Sequence, residues 1–493
     1  MRSLILFLFL SVFSCHYLCA QTKPKYELRA VWIATVGNID WPSNDTKLDA
    51  LAQQQEFINL LNLLQSAGMN AVIVQVRPAS DAFYESSYET WSRYVTGKEG
   101  QAPNPYYDPT KFMIDECHKR GMEFHAWFNP YRALIDARKN THAFNHPTYT
   151  HPEWFVNYGG KKYFDPGVPA VRKYVQDVVC EVVSKYDIDA VHFDDYFYPY
   201  KIGSLEFPDN KSYIQNGDGM LTKADWRRKN VNLFIEEISK KIKAIKPTVK
   251  FGISPFGIWR NASCDKDGSN TRGCQNYDDL YADVLLWQRS GWIDYLMPQL
   301  YWERGHKSAD FSTLLQWWSN HSYGKGMYIG QGLYQMGVNA NPAWRNSAEI
   351  PEQINDIRNT KNINGYSLYS ANGFYKNKYG IVQTLQYNTN TSLAIVPPMK
   401  WLDNIAPAKP SYKKIKTASG VDALELKHNS ADANCFVIYQ FAKNEKIDIA
   451  NAEKIEKITG ENIYLLKNNW RDYKYVIASL DKIHNESEFV LIE

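Results

Sequence analysis

A (β/α)₈ TIM barrel followed by a small all-β sandwich is the fold class this sequence predicts, and three observations carry it. Between residues 27 and 390, eight short apolar runs alternate in order with eight helix-like stretches. Alternation of that kind builds a parallel sheet, and a count of eight closes it into a barrel. The rival, an open doubly wound sheet, wants a glycine-rich phosphate loop after the first strand; Gly37-Asn38-Ile39-Asp40 offers one glycine. From residue 406 the helical stretches stop, and short alternating segments at 423–426, 434–440, 462–466 and 473–479 predict a sandwich over 406–493.

Taken in order, residues 28–36 (LRAVWIATV) form the first strand, and 48–67 carries a helical stripe of Leu51, Phe57, Ile58, Leu60, Leu61 and Leu64 that Gly68 ends. Strand two is 70–76 (NAVIVQV), and Asp108-Pro109 opens the helix that runs to Gly121. Strand three is 122–128 (MEFHAWF), followed by a long loop rich in His, Asn and Tyr and then a helix over 169–186. Strand four opens IDAVHFDDYFYPY, residues 188–200, and a long amphipathic helix spans 224–245. The remaining pairs are strand 249–255 with helix 278–289, strand 293–301 with helix 311–318, strand 327–333 with helix 349–361, and strand 365–370 with helix 373–387.

Composition narrows the function. A net charge of +3 in 493 residues argues against a nucleic-acid partner held by phosphate neutralisation. Some of the 34 Tyr and 15 Trp must be core, and so many amphipathic rings also suit a surface that stacks on sugars. The N-terminus, with Arg2 and an apolar run over 4–13, reads as a signal peptide cleaved after Ala20; lipidation at Cys15 is the rival. Either places the protein outside the cytoplasm, periplasmic or at the cell surface, and no later segment is apolar enough for a transmembrane helix. In an oxidising compartment Cys264 and Cys274 invite a loop-closing disulfide. The Asp265-Lys266-Asp267-Gly268 turn between them lacks the terminal Glu of a calcium loop.

Catalytic groups of a barrel lie at the C-terminal strand ends. Those ends supply Arg77, Asp81 and Tyr84 from strand two; His125, Trp127, Asn129, Tyr131 and Arg132 from strand three; and His192, Asp194, Asp195 and Tyr196 from strand four. Strand five gives Ser254, strand six Gln299, Tyr301, Trp302 and Glu303, and strand seven Gln331 and Tyr334. Carboxylates among rings are expensive to bury, so the Asp194-Asp195 end is expected to face a cleft. Period-two alternation puts His192 and Asp194 on the inward face and turns Asp195 aside.

An inward Asp suits attack on, or charge stabilisation of, an anomeric carbon, with a second carboxyl as proton donor. Asp195, Asp81 and Glu303 are the candidates; Tyr301 and Trp302 would raise the pKa of Glu303, whose competing role is an ion pair with Arg304. Arg132 and Arg77 bind an anionic sugar substituent or hold Asp194 and Asp81 ionised; for Arg77 the second is expected, Asp81 being so near. His142, His146 and His151 fit no common zinc spacing, and no cofactor or metal is expected. No Gly-x-Ser-x-Gly elbow is present.

At these strand ends the sequence resembles the glycosyl-hydrolase-like 10 family of bacterial exported proteins. The resemblance rests on Arg29-Ala30-Val31-Trp32, Val74-Gln75-Val76-Arg77-Pro78 with Asp81-Ala82-Phe83-Tyr84, and Ala126-Trp127-Phe128-Asn129-Pro130-Tyr131-Arg132. It continues through His192-Phe193-Asp194-Asp195-Tyr196-Phe197, Gly252-Ile253-Ser254-Pro255-Phe256-Gly257 and Pro298-Gln299-Leu300-Tyr301-Trp302. It implies a barrel over 27–390 and glycosidase activity on a polysaccharide, with Asp194 as nucleophile or base. For some relatives the glycan is peptide-free peptidoglycan. Glu303 lies outside the matching segments. The tail resembles a fibronectin type III-like module, expected to pack on the barrel or to bind ligand weakly. A non-catalytic carbohydrate-binding barrel of the cell envelope is the alternative.

Overall fold

The computed structural model describes residues 23–138, 142–217, 219 and 222–492. The expected signal peptide, with Cys15 and Ala20, lies outside them. Eight parallel strands close a barrel: β1 Leu28–Ile33, β2 Ala71–Arg77, β3 Glu123–Phe128, β4 Ala190–Phe193, β5 Lys250–Ile253, then β6 and β7, each in two pieces, and β8 Gly365–Leu368. β6 comprises Tyr295–Leu296 and Gln299–Leu300, β7 Gly326–Met327 and Ile329–Gln331. The first piece of β6 pairs with β5 and β7, the second with β7 and, through Gln299, with Phe256 just past β5. Between the pieces lies Pro298, which has no N–H to give the ladder. Pairing of Leu28 with Gly365 through Val31 with Leu368 seals the ring.

The helices follow the cap chemistry. Asp49 accepts from the N–H groups of Leu51 and Ala52 to start α1 Ala50–Ser66, and Asp108 starts α2 Pro109–Lys119 with proline in the first turn. α3 is Pro169–Lys185, α4 Lys223–Ile245, α5 Val284–Arg289, α6 Phe311–Asn320 and α7 Glu349–Asn359. Two expected helices are broken. The 278–289 stretch splits around Tyr281 at φ 54°, and the last one splits into Asn372–Lys376 and Ile381–Thr384 around Asn377, Tyr379 and Gly380, all at positive φ. The loop after β3 also differs from expectation. It carries a three-stranded antiparallel sheet of Arg132–Leu134, Lys161–Phe164 and Phe155–Tyr158. Cys264 and Cys274 are free thiols, so the expected disulfide is not formed.

The C-terminal strands are β9 Ser411–Lys416, β10 Asp422–Lys427, β11 Ala433–Ala442, β12 Ile455–Thr459, β13 Ile463–Leu465, β14 Tyr473–Asp481 and β15 Val490–Ile492. They form two antiparallel sheets, β9-β10-β13 and β12-β11-β14-β15. The unbroken apolar run of β11 has a reason. Phe436 and Ile438 pack between the sheets, while Val437 and Tyr439 pack on the other face with Ile395.

The turn after β14 then enters the bottom of the barrel. Ile483 is fully buried in one cluster with Leu28, Ala30, Ala71, Ile73 and Tyr295. His484 Nδ1 lies 3.1 Å from Glu123, which also pairs with Lys250 and His125. Burial would push Glu123 up, but Lys250 and His484 hold it well below the usual carboxylate range. Among the described residues no helix is long and apolar enough to cross a membrane.

Candidate active site

β4 ends at Phe193, one residue before the aspartates. Beyond it the chain leaves the pleat: Tyr196 N–H donates to Asp194 Oδ1 at 3.3 Å, and Phe197 N–H to the Asp195 carbonyl at 3.0 Å. Strand alternation therefore no longer applies. Asp194 and Asp195 line the same cavity, of about 410 Å³, at the C-terminal mouth of the barrel. The expectation that Asp195 turns aside is corrected on that ground. The other walls are rings: Trp32, Trp127, Tyr196, Tyr200, Phe256, Tyr301, Trp302, Tyr334 and Tyr369, with Gln299 and Gln335.

The two carboxyls differ in their partners. Trp127 Nε1–H and Asn129 Nδ2–H each donate to Asp194 Oδ2 at 3.0 Å. Burial pushes Asp194 up, opposed by the Arg132 guanidinium and these donors. Asn129 is itself fixed, its Oδ1 accepting the Arg132 N–H at 3.0 Å. Asp195 accepts a short hydrogen bond from the Tyr200 hydroxyl. Burial and the charge of Asp194 push it up to about 7, with Tyr200 and Gln299 opposing. Asp195 is thus half-protonated near neutrality, as an acid catalyst should be.

The sequence candidates divide into three groups. Trp127, Asp194, Asp195, Tyr196, Gln299, Tyr301, Trp302 and Tyr334 line the cavity. Asn129, Arg132 and His192 support it from behind. The Arg132 guanidinium sits 5.8 Å over the Tyr196 ring, with its Nε donating to the Pro78 carbonyl. His192 packs edge-on against Trp32 and hydrogen-bonds the Tyr295 hydroxyl through Nδ1. The rest are elsewhere. His125 lies deeper in the barrel between Glu123 and Tyr295, the Ser254 hydroxyl donates to the Met297 carbonyl, and Gln331 to Gln353. Tyr84 and Tyr131 are buried in the core.

Two expected roles are replaced by others. Glu303 is outside the cavity wall, its oxygens taken by Asn341 Nδ2–H at 2.6 Å and Trp344 Nε1–H at 3.0 Å. It anchors a loop. Arg77 does not hold Asp81: its guanidinium forms a fork with both oxygens of Glu89, at 2.8 and 2.5 Å, wholly buried. Asp81, without that cation, is pushed by burial up to about 7 and lines a second cavity with Arg93 and Glu99.

Glu99, His142 and His146 place one ligand atom each within 4.8 Å of one another, a grouping that the sequence spacing did not reveal. Arg93 Nη2 already lies 2.8 Å from Glu99 and 3.1 Å from His142 Nδ1, so a guanidinium occupies this cluster. His151 instead stacks on Trp154 at 3.8 Å. The residues missed were Trp32, Tyr200, Phe256, Gln335 and Tyr369. Trp32 and Tyr369 stand at the ends of β1 and β8, so the same strand-end rule points to them.

Comparison with known proteins shows the family. Residues 27–346 match the model of the family described as glycosyl hydrolase-like 10. The chain is 44% identical over 483 residues to glycosyl hydrolase YngK of Bacillus subtilis (strain 168), covering 95% of this chain and 93% of that one. It is 39% identical over 385 residues to glycosyl hydrolase DigH of Escherichia coli (strain K12), covering 73% and 86%. Among solved structures, the PgaB (BpsB) glycoside hydrolase domain from Bordetella bronchiseptica aligns at TM-score 0.47 and 10% identity, covering 73% of this chain and 98% of that one. The chain belongs to the glycosyl hydrolase-like 10 family.

Proposed function

We propose that the protein is an exported glycoside hydrolase, with Asp195 as proton donor and Asp194 as the anion that stabilises positive charge at the anomeric centre. One observation carries this reading: two buried carboxyls with opposed environments meet in a ring-lined cavity at the catalytic end of a barrel. Asp194 has a cation and three donors around it, Asp195 a neighbouring negative charge. The rings offer stacking faces for sugars, and Tyr334, 45% exposed, extends them toward solvent.

A polysaccharide is the substrate class, and peptide-free peptidoglycan glycan our specific choice, in keeping with the leader-like N-terminus and export to the cell envelope. We read the C-terminal unit as fibronectin type III-like, from the strand order of its two sheets.

The test is product release, followed by mass spectrometry, from a panel of purified glycans by the parent and by Asp194→Asn. The substitution should cost at least about 10²–10⁴-fold in rate. Unchanged release would refute the assignment. Among the described residues that line the cavity no carboxyl stands besides the two aspartates, which favours a second reading, a carbohydrate-binding barrel; saturable glycan binding with no turnover by the parent selects it.

A further inference from the structure

The two carboxyls of the cleft come from consecutive residues. Among the described residues that line it, Asp194 and Asp195 alone carry carboxyl groups. Their Cα atoms are about 3.8 Å apart, as in any trans dipeptide, so both approach a bound sugar from one wall. Displacement at an anomeric carbon needs a proton for the leaving oxygen and an electron pair on the opposite face of the ring. One aspartate can supply the proton; its neighbour cannot also reach round to the far face. Glu303 is committed to Asn341 and Trp344. Among the facing hydroxyls, burial pushes Tyr301 well above its ordinary pKa, and Tyr369 and Tyr334 up as well, so none is a ready nucleophile. With no further carboxyl among the described lining residues to activate a water on the far face, the electron pair is best supplied by the substrate itself.

From this geometry we infer that hydrolysis is substrate-assisted: the substrate is a glycan of 2-acetamido-2-deoxy sugars, and its acetamido carbonyl oxygen is the nucleophile. The inference rests on the glycosidase reading above and adds the origin of the attacking atom. Asp194 is set up to orient that group. Its Oδ2 is saturated by Trp127 and Asn129, while Oδ1 accepts a single backbone N–H at 3.3 Å and has room for the acetamido N–H. Trp32 and Trp127, packed edge to face at 4.8 Å, form an apolar wall beside it for the acetyl methyl.

In the first step the carbonyl oxygen forms a bond to C1 as the bond from C1 to the leaving oxygen breaks, closing an oxazolinium ring. The Asp195 proton passes to the leaving oxygen, and the ring's positive charge lies against the Asp194 carboxylate. In the second step water adds to C1 and gives its proton to Asp195. The bond from C1 to the acetamido oxygen breaks, and the product keeps the anomeric configuration of the substrate. Protonation of Asp195 near neutrality fits the donor role in this cycle.

The experiment uses peptide-free peptidoglycan glycan that has been N-deacetylated and then re-acylated with either acetyl or trifluoroacetyl groups. The two acyl groups are close in size, but fluorine withdraws electrons from the attacking oxygen. The acetyl glycan should be cleaved with retention at the new reducing end. The trifluoroacetyl glycan should react roughly a hundredfold more slowly, which is about 2.7 kcal/mol of the acetamido oxygen's help lost from the transition state. Equal rates on the two glycans, an inverted product, or covalent labelling of Asp194 by a 2-deoxy-2-fluoro glycosyl fluoride would overturn the inference and leave the glycosidase reading standing. Failure to cleave any glycan of the panel would remove both.

Discussion

Replacing Tyr200 with Phe tests the acid assignment at its most specific point. The Tyr200 hydroxyl donates to Asp195 and favours its ionised form, opposing the burial and the Asp194 charge that push it up to about 7. A hydrogen bond to a charged group contributes about 1.5–3 kcal/mol, and one pKa unit is about 1.36 kcal/mol. Losing the bond should therefore raise the Asp195 pKa by about 1–2 units, toward the lower end because Gln299 still bonds to the carboxyl. The protonated form is the working one, so activity is present below the folded-state pKa and lost as pH rises through it. The alkaline limb of kcat/KM, near pH 7 in the parent, should move upward by about one unit in Tyr200→Phe. In Asp195→Asn that limb should disappear. The assay is the initial rate of glycan release from pH 4 to 10. A limb that stays in place, or moves toward acid, refutes the reasoning. A limb surviving in Asp195→Asn does so as well.

Further expectations follow from the rest of the structure. Glu303→Gln should keep activity within a few-fold of the parent, because both oxygens serve a loop anchor; a thousandfold loss in kcat would restore it as proton donor. Arg77→Met leaves Glu89 buried without its cation and should cost about 3–5 kcal/mol in denaturant unfolding, and Arg77→Lys should recover little because it cannot form the fork. Ile483→Ala should cost about 2–5 kcal/mol, seen as earlier unfolding of the barrel itself. If the C-terminal unit alone loosens while the barrel melts as before, the packing argument is wrong.

Much of this was legible in the sequence because barrel strands buried on both faces read as unbroken apolar runs, and capping residues such as Asp49 and Asp108 mark where helices begin. The rim was legible for a similar reason: polar residues and rings at the ends of such runs have few structural explanations. What escaped depended on distance in the chain. Nothing local tells Arg77 to choose Glu89 over Asp81, four residues away, or tells Glu303 to meet Asn341 and Trp344. Alternation misplaced Asp195 because its premise, a strand still pleated at residue 195, fails two residues earlier. Breaks at Tyr281 and Tyr379 were hidden because tyrosine carries no turn signal, and its positive φ there is imposed by surrounding structure.

The insertion of Ile483 and His484 into the barrel floor bears on how the chain is made. Every barrel strand from Leu28 to Leu368 leaves the ribosome before the residues that stopper it. Until then, Glu123 and Lys250 have a wet cleft where a packed floor should be, and the apolar ring of Leu28, Ala30 and Ile73 lacks its final neighbour. The nascent barrel should therefore be a client for holding factors rather than a finished domain. A premature stop between residues 390 and 483 would yield a barrel with its complete catalytic rim but an unsealed base. Such a product should be more open to proteolysis than the full chain, because its floor is unpacked.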